Sequence, residues 1–388
     1  MPWKEVSAVS ARSEFVILAG NSGVNLSALC RRFNISRTTA YKWLGRFRTQ
    51  GSQGLMDRAR KPHSSPRRTQ KALEQKVLAI RWQHPAWGAR KIRRILLNDL
   101  SRPPAPSTIG AILKRANCIN SDEALKHRPL RRFERAMPNE LWQMDFKGDF
   151  SLHNGQRCFP LTALDDFSRF NLLLHACPQP IGPTVQTALI STFQRYGLPQ
   201  AMLMDNGAPW GHSGELNLTT LSIWLMRLGI RVLHGRPYHP QTQGKEERFH
   251  RTLEVELLSH RDFNDHSDCQ RAFDPWREVY NCYRPHEALL QEVPASRYQP
   301  SSRQYPAQLP PIEYSPGDVI HKVQYDGKLY FNGAIYILSA PLAHHPVALR
   351  PTTNDGVYDI FFCQFQIACL DVKNNRVYRP LANLSDSC

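Results

Sequence analysis

No CxxC pair occurs anywhere in the 388 residues, and the nine cysteines are odd in number and scattered without ligand spacing. That argues against a zinc ribbon or a disulfide framework and for reduced thiols in a cytosolic setting. No stretch approaches about 18 uninterrupted apolar residues, so no membrane span is expected. The opening residues, Met1-Pro2-Trp3-Lys4-Glu5, lack the basic-then-apolar pattern of a secretory signal, and export is not expected. There is no internal repeat of fixed period. The second part of the chain also lacks a positive surplus: residues 1–137 hold 28 Lys and Arg against 8 Asp and Glu, and the remainder holds 22 against 25. A surplus concentrated at one end favours a polyanionic partner, and double-stranded nucleic acid fits better than a membrane surface. The length implies two to four domains.

Within the basic end, residues 24–50 read as a helix-turn-helix inside a first domain over 1–55. Leu26, Leu29, Cys30 and Phe33 fall at helical spacing, Asn34-Ile35 makes a turn, and Ser36 suits the cap of a second helix that ends at Gly51. That helix is expected to bury Tyr41, Leu44 and Phe47 and to offer Arg37, Thr38, Thr39 and Lys42 to a major groove. A basic linker over 56–69 follows, rich in Gly, Pro and Ser nearby, whose Arg58, Arg60, Lys61, Arg67 and Arg68 could track along DNA. A second helical unit is expected over 70–118, with Leu73, Val77 and Ile80 on one helix, a break at 84–88, a helix over 89–100, and a last helix capped by Ser107. Its candidate DNA contacts are Arg90, Lys91, Ser107, Thr108, Lys114 and Arg115. A basic connector over 119–137 ends the positive surplus.

From about residue 138 the texture changes to short apolar runs. Strands are expected at 141–150, 157–164, 170–176 and 201–204, and helices at 184–196, 216–228, 246–260 and 267–283, which together indicate a mixed α/β core over 138–300. A Pro-, Ser- and Gln-rich stretch at 284–312 reads as a linker. Beyond it, alternating segments punctuated by Asp326-Gly327, Asn332-Gly333 and Asp355-Gly356 suggest a small all-β barrel over 312–388.

Three acids stand where cation chemistry would want them. Asp145 lies inside an apolar strand, where a carboxylate is costly without a partner. Asp205 closes a strand and precedes Asn206-Gly207, at a sheet edge open to a ligand. Glu247 opens a helix after a turn-like run. Its neighbour Glu246 shares a stripe with Phe249, Leu253 and Leu257, whereas Glu247 aligns with His250, Arg251 and Glu254; the polar side favours Glu247, and residue physics alone leaves Glu246 open.

Three runs carry a resemblance: Trp142-Gln143-Met144-Asp145-Phe146, Met204-Asp205-Asn206-Gly207-Ala208-Pro209-Trp210, and the run from Arg236 through Gly244 to Glu247-Arg248-Phe249-His250-Arg251-Thr252-Leu253. They resemble the catalytic blocks of bacterial insertion-sequence transposases with a retroviral-integrase-type core, and Tyr280 to Ala288 and Pro294 to Tyr298 resemble that group's closing signature. The resemblance extends over almost the whole chain, because paired helix-turn-helix arms and a β-rich tail are also expected of that group. It implies all-α N-terminal arms, an RNase H-like α/β core, and a DDE triad at Asp145, Asp205 and Glu247. These acids would serve as both catalytic and metal-binding residues, holding two Mg²⁺ (or Mn²⁺). The implied activity is DNA transposition: binding the element's terminal inverted repeats, hydrolysing a phosphodiester, then joining the freed 3′-hydroxyl to target DNA. A homo-oligomer, dimer or tetramer, in the synaptic complex and a bacterial, nucleoid-associated location are implied too; accessory proteins stay open. Lys245, Arg248 and Arg251 would meet DNA phosphate, and His239 and His250 could assist. Asp165-Asp166 with Ser168 reads as a turn, Asp149 as surface, and the C-terminal barrel as a protein-contact module. Two features depart from the family pattern: Met204 stands where that group usually has Thr, and Asp205 to Glu247 spans 42 positions, longer than in retroviral integrases. The His-His-Cys-Cys zinc module of those integrases is missing. The competing readings are a catalytically silent DNA-binding regulator and a nuclease that cuts but never joins.

Overall fold

The computed structural model describes residues 8–58, 69–119, 134–211, 216–235 and 244–379, and it divides into two compact units, Met1–Gln70 and Lys71–Cys388.

In the first unit, α1 (Ala8–Ala19), α2 (Leu26–Arg32) and α3 (Arg37–Gln50) enclose a core of Phe15, Val16, Leu29, Cys30, Ala40, Trp43 and Leu55. Asn25 caps α2 and Ser36 caps α3 through side-chain acceptance of backbone N–H groups, and Gly51 closes α3 with φ +58°, a conformation that favours glycine. The expected burial of Tyr41 and Phe47 is corrected. α1, which the sequence pattern did not reveal, covers the neighbouring face, so Ala40 and Trp43 go inside while Tyr41 stays 64% exposed. Leu55, placed at the domain's edge from sequence, is buried at the end of a short 3-10 turn, Gly51–Leu55, that packs back on α3.

The second unit starts with α4 (Lys71–Gln83), α5 (Ala89–Asp99) and α6 (Pro106–Arg115) around Val77, Trp87, Ile92, Leu96, Ile109 and Leu113. The predicted Ser107 cap is also corrected: Pro106 occupies the first turn, where its missing N–H costs nothing, and Ala105 is the cap residue.

The α/β core follows. β1 (Leu141–Phe146) pairs antiparallel with β3 (Arg157–Asp165) on one side and parallel with β5 (Ala201–Met204) on the other. β4 (Asn171–Cys177) and the short β2 (Phe150–Ser151) also flank β3, and β6 (Arg231–His234) lies parallel to β5. Four residues of β6, only half-buried, were too short a pattern to be read as a strand from sequence. α7 (Gly182–Tyr196) and α8 (Thr220–Arg227) cover one face with Phe193, Leu189 and Leu225, while α9 (Gly244–Glu256) and α10 (His266–Glu278) cover the other with Phe249, Leu253 and Phe273. A helix on each face explains why β1, β3 and β4 read as continuous apolar runs. α10 passes into a π-helical turn, Val279–Tyr283.

The stretch expected to be a linker is not one. Tyr298, Tyr305 and Leu309 pack on the core, and the Arg303 guanidinium donates to the carbonyls of Pro199, Leu228 and Gly229. The C-terminal region is all-β, but its described strands form an open sheet rather than a closed barrel: β7 (Val319–Lys322) pairs β10 (Pro346–Pro351), followed in order by β11 (Val357–Phe362), β12 (Phe365–Asp371) and β13 (Arg376–Tyr378). A separate hairpin joins β8 (Lys328–Phe331) and β9 (Ala334–Ile337). Its interior is shared with Leu216, Leu218, Ile223 and Met226.

Candidate active site

β1 carries Asp145 in register with Thr162 of β3, half-buried at the strand's C-terminal end, where Oδ1 accepts from Phe146 N at 2.8 Å. Asp205 leaves the end of the neighbouring parallel strand. Its Oδ1 accepts from Gly207 N at 3.0 Å, and its backbone carbonyl lies 2.7 Å from His234 Nδ1 at the end of β6. Asn206 Nδ2 donates to Gly235 O at 2.7 Å, so the Asp205 turn is tied to β6 on both sides. A Cβ at Gly211 would run into the Asn206 carbonyl, which is why the turn closes with glycine. Parallel strands ending side by side present both aspartates at one sheet edge, the usual ligand face of such sheets.

On α9 the two adjacent glutamates point opposite ways. Glu247 is exposed; Glu246 is 0% exposed and shares the inward side with Phe249 and Leu253. Glu246 Oε2 lies 3.0 Å from Thr162 Oγ1, which is itself 3.0 Å from the Asp145 carbonyl and 2.8 Å from His250 Nε2. Burial, with Asp145's charge second, holds Glu246 well above the ordinary carboxyl range. His250, placed beside Glu247 from helical spacing, is drawn inward by this hydroxyl instead, and burial pushes its imidazole down to about 4. Thr162 is the residue that sequence reasoning missed: nothing marks one threonine in an apolar strand as a junction between two elements.

Asp145 reports the company it keeps. Burial first, then the negative charge of Asp205 and, more weakly, of Glu247 push its carboxyl up to about 6 against the pull of the Phe146 N–H. The folded chain thus holds this proton more tightly than the unfolded one, so its stabilisation is complete below about pH 4 and lost as pH rises through about 6. At pH 8 the ionised side chain costs up to about 3 kcal/mol. With divalent ions chelated, Asp145→Asn should therefore melt higher than the wild type at pH 8 but not at pH 4, and saturating Mg²⁺ should narrow the gap. A gap of equal size at both pH values in a thermal melt counts against the charge clustering. Among the described residues no three His, Cys, Asp or Glu side chains are gathered tightly enough to hold a metal as they stand.

The candidate DNA contacts divide. Arg37, Thr38 and Lys42 are exposed along α3, with Arg37 bonded to Ser27; Thr39 is half-buried, its hydroxyl 2.9 Å from the Ser36 cap. Arg58 is exposed and donates to Gln50. Ser107, Lys114 and Arg115 are exposed on α6, Arg115 bonded to Glu74, and Thr108 is half-buried. Arg248 and Arg251 are exposed near Glu247. Three residues are engaged within the fold. Lys245 is ion-paired inside with buried Asp166, Arg90 is ion-paired with Glu287, and Lys91 is half-buried. Asp166 also accepts from Gln143 at 2.7 Å, so the Asp165-Asp166 turn braces the fold. Asp149 is at the surface, paired with Arg157. Arg60, Lys61, Arg67, Arg68 and His239 lie outside the described residues.

Family models match along most of this frame: a helix-turn-helix domain over 14–63, a homeodomain-like domain over 39–113, integrase core domains over 135–240 and 228–294, and the C-terminal domain of IS481 family transposases over 318–378. An uncharacterized 39.2 kDa protein of insertion element IS476 from Xanthomonas euvesicatoria is 26% identical over 70% of this chain and 78% of its own length. The chain carries the parts of an insertion-sequence transposase: helix-turn-helix domains, an integrase core and a C-terminal domain of the IS481 type. A second relative, an uncharacterized 31.7 kDa protein of insertion element IS407 from Burkholderia multivorans, is 28% identical over 41% of the transposase and 54% of its own length. Among solved structures, a chain of the simian T-cell lymphotropic virus intasome in complex with the B56 gamma regulatory subunit of PP2A aligns at 15% identity and a TM-score of 0.37, over 79% of the transposase and 99% of that chain.

The transposase has an integrase-type core and helix-turn-helix domains of a kind that bind DNA. No helix among its described residues is long and apolar enough to cross a membrane, and the eight cysteines among them are free thiols.

Proposed function

We propose that the transposase binds the terminal inverted repeats of its element, cuts the ends and joins the freed 3′-hydroxyls to target DNA, with Asp145, Asp205 and Glu247 as the catalytic acids. The observation that carries this reading is the placement of the acids: Asp145 and Asp205 stand at the ends of adjacent parallel strands at one sheet edge, and Asp205 and, more weakly, Glu247 lie close enough to Asp145 to raise its carboxyl. An all-oxygen donor set with surplus negative charge suits Mg²⁺ or Mn²⁺, two per site. Bound cations would offset the mutual repulsion of these carboxylates. When bound, such ions supply Lewis-acid stabilisation of the attacking and leaving oxygens of an in-line displacement. The chain's own residues do the rest. His234 and Asn206 hold the Asp205 turn, Thr162 and Glu246 set the face of α9, and Arg248 and Arg251 meet phosphate.

End recognition falls to α3 and α6, and the basic arm supplies non-specific affinity. If it makes 6 to 10 phosphate contacts, binding to element ends should weaken roughly 10³- to 10⁵-fold between 50 and 200 mM salt. A flat profile in a fluorescence-anisotropy titration counts against this use of the charge. Synapsis is proposed to need a dimer or tetramer, and the exposed Tyr330, Ile335 and Ile337 of the β8–β9 hairpin support a protein-contact role for the C-terminal region.

The deciding experiment incubates the full chain with labelled element ends, a target plasmid and Mg²⁺ or Mn²⁺. Joined products establish the reading. Binding without cleavage would move it to a silent regulator, and cleavage without joining to a nuclease.

A further inference from the structure

Two basic residues of α5 are tied to the core by ion pairs; Arg94 and Lys91 are half-buried and Arg90 is exposed. Arg90 is ion-paired with Glu287, and Arg94 Nη2 lies 3.4 Å from Glu292 Oε2, both acids belonging to the irregular segment after the π-helical turn. Beside these pairs the contact is apolar. Val279 packs on the core of the α4–α6 domain, and the Tyr283 ring lies 5.8 Å from Trp87 and 5.9 Å from His84, which stack on each other at 3.8 Å. Arg81 steadies that corner by donating to the carbonyls of Trp87 and Cys118 at 2.8 and 2.7 Å.

Lys91 sits within this contact, faced by Arg284 and Arg248 and by Glu256 and Glu287; burial first, then Arg284, lower its ammonium to about 7. Arg284 Nε in turn donates to Glu256 Oε1 at 2.8 Å. Glu256 and Arg248 belong to α9, the helix that bears Glu247. The contact therefore runs from the second helix-turn-helix domain to the helix that supplies the third acid. α6, meanwhile, keeps Ser107 and Lys114 exposed.

We propose that this contact is a register clamp: by seating α5 on the core of the same chain through Arg90–Glu287, Arg94–Glu292 and the Trp87–Tyr283 packing, it fixes the distance along the DNA between the base pairs α6 reads and the phosphate the core cuts. The division of labour follows from the geometry. α5 cannot lay Arg90 and Lys91 along a phosphate backbone without surrendering the contact, whereas α6 reads DNA without disturbing it. Successive phosphates of one strand are about 3.4 Å apart along the axis, so slack of a few ångströms at the clamp shifts the cut by one position or more. The clamp rests on the proposed end-cutting activity.

The test uses the full chain in four forms: wild type, Arg94→Glu, Glu292→Arg and the double swap. Each receives a duplex bearing the element's own end, with the cut mapped at single-nucleotide resolution, and a supercoiled plasmid lacking element sequence, whose nicking reports the core's chemistry alone. Each single reversal should spread the cut from one phosphate to its neighbours while plasmid nicking persists, and the swap should restore one position. A single sharp cut in both reversals, or a spread that the swap leaves unchanged, overturns the clamp. Hydrogen exchange on wild type and the milder Arg94→Gln keeps the question decidable should the reversals misfold. α5 amides should exchange faster in Arg94→Gln, and unchanged exchange refutes the contact. If the wild type makes no cut at element ends, the end-cutting reading fails, while the exchange data still answer for the contact.

Discussion

Glu247→Gln should abolish strand joining, and Glu246→Gln should leave most of it. The two side chains differ by one position and nearly the full range of solvent exposure: Glu247 stands exposed, within electrostatic reach of Asp145, while Glu246 is 0% exposed and engaged with Thr162. Removing the Glu247 charge takes away a carboxylate proposed to hold a cation worth several kcal/mol of charge stabilisation. At 1.36 kcal/mol per tenfold, that is on the order of 10³-fold or more in rate. Burial raises the Glu246 carboxyl well above its ordinary range, and glutamine keeps its shape and its acceptor for Thr162, so the loss should stay about 1 kcal/mol, less than roughly tenfold. Asp145→Asn and Asp205→Asn should match Glu247→Gln. Single-turnover joining assays on the five proteins check this; equal losses from the two glutamate variants would sink the assignment.

Trp142→Ala should be the most destabilising single change in the core short of a charge in its interior. The indole is fully buried on β1, three residues from Asp145, with its ring centre 5.8 Å from that of Phe193. Its Nε1 donates to Asn139 Oδ1 at 3.0 Å, the same atom that accepts from Tyr298 Oη at 3.0 Å. Asn139 in turn donates its backbone N–H to buried Asp165 at 2.7 Å, so the substitution opens a cavity and strips a polar junction of one donor. Truncating a buried tryptophan costs about 3–5 kcal/mol. Trp142→Phe, which keeps much of the volume, should lose distinctly less. Denaturant unfolding followed by near-ultraviolet circular dichroism measures both, and a loss under about 1 kcal/mol for alanine would show that the site collapses around the gap.

The strands of the core were legible because helices on both faces make them apolar throughout, and Ala201–Met204 is found at the residues its four-residue run predicts. The order of acids along the chain was legible too, as was the inward stripe of Glu246 with Phe249. What escaped was set by residues far away in sequence. Lys245 reads as a free cation until Asp166 arrives from 79 positions off, and Arg90 until Glu287 arrives from 197. His250 shows a limit of helical spacing, which says which residues share a face but not that a threonine on β3 will claim one of them. Short β6 and the open C-terminal sheet were hidden for another reason. Turn dipeptides mark where strands reverse, not whether the last closes on the first.

Successive residues of an α-helix are about 100° apart around its axis. Two neighbouring glutamates, one inside and one outside, thus give α9 something like the notch of a key. Were the helix to enter one residue earlier, after a single insertion in the run before Gly244, Glu246 would turn toward the place Glu247 holds, Phe249 would rotate off its seat among Trp276 and Tyr280, and Thr162 would face a different side chain. The chain carries an acid ready for that wrong setting, yet the aromatic seat and one hydroxyl make it unreachable without breaking the core. Length changes in the sequence before Gly244 should therefore leave the rotation of the helix unchanged.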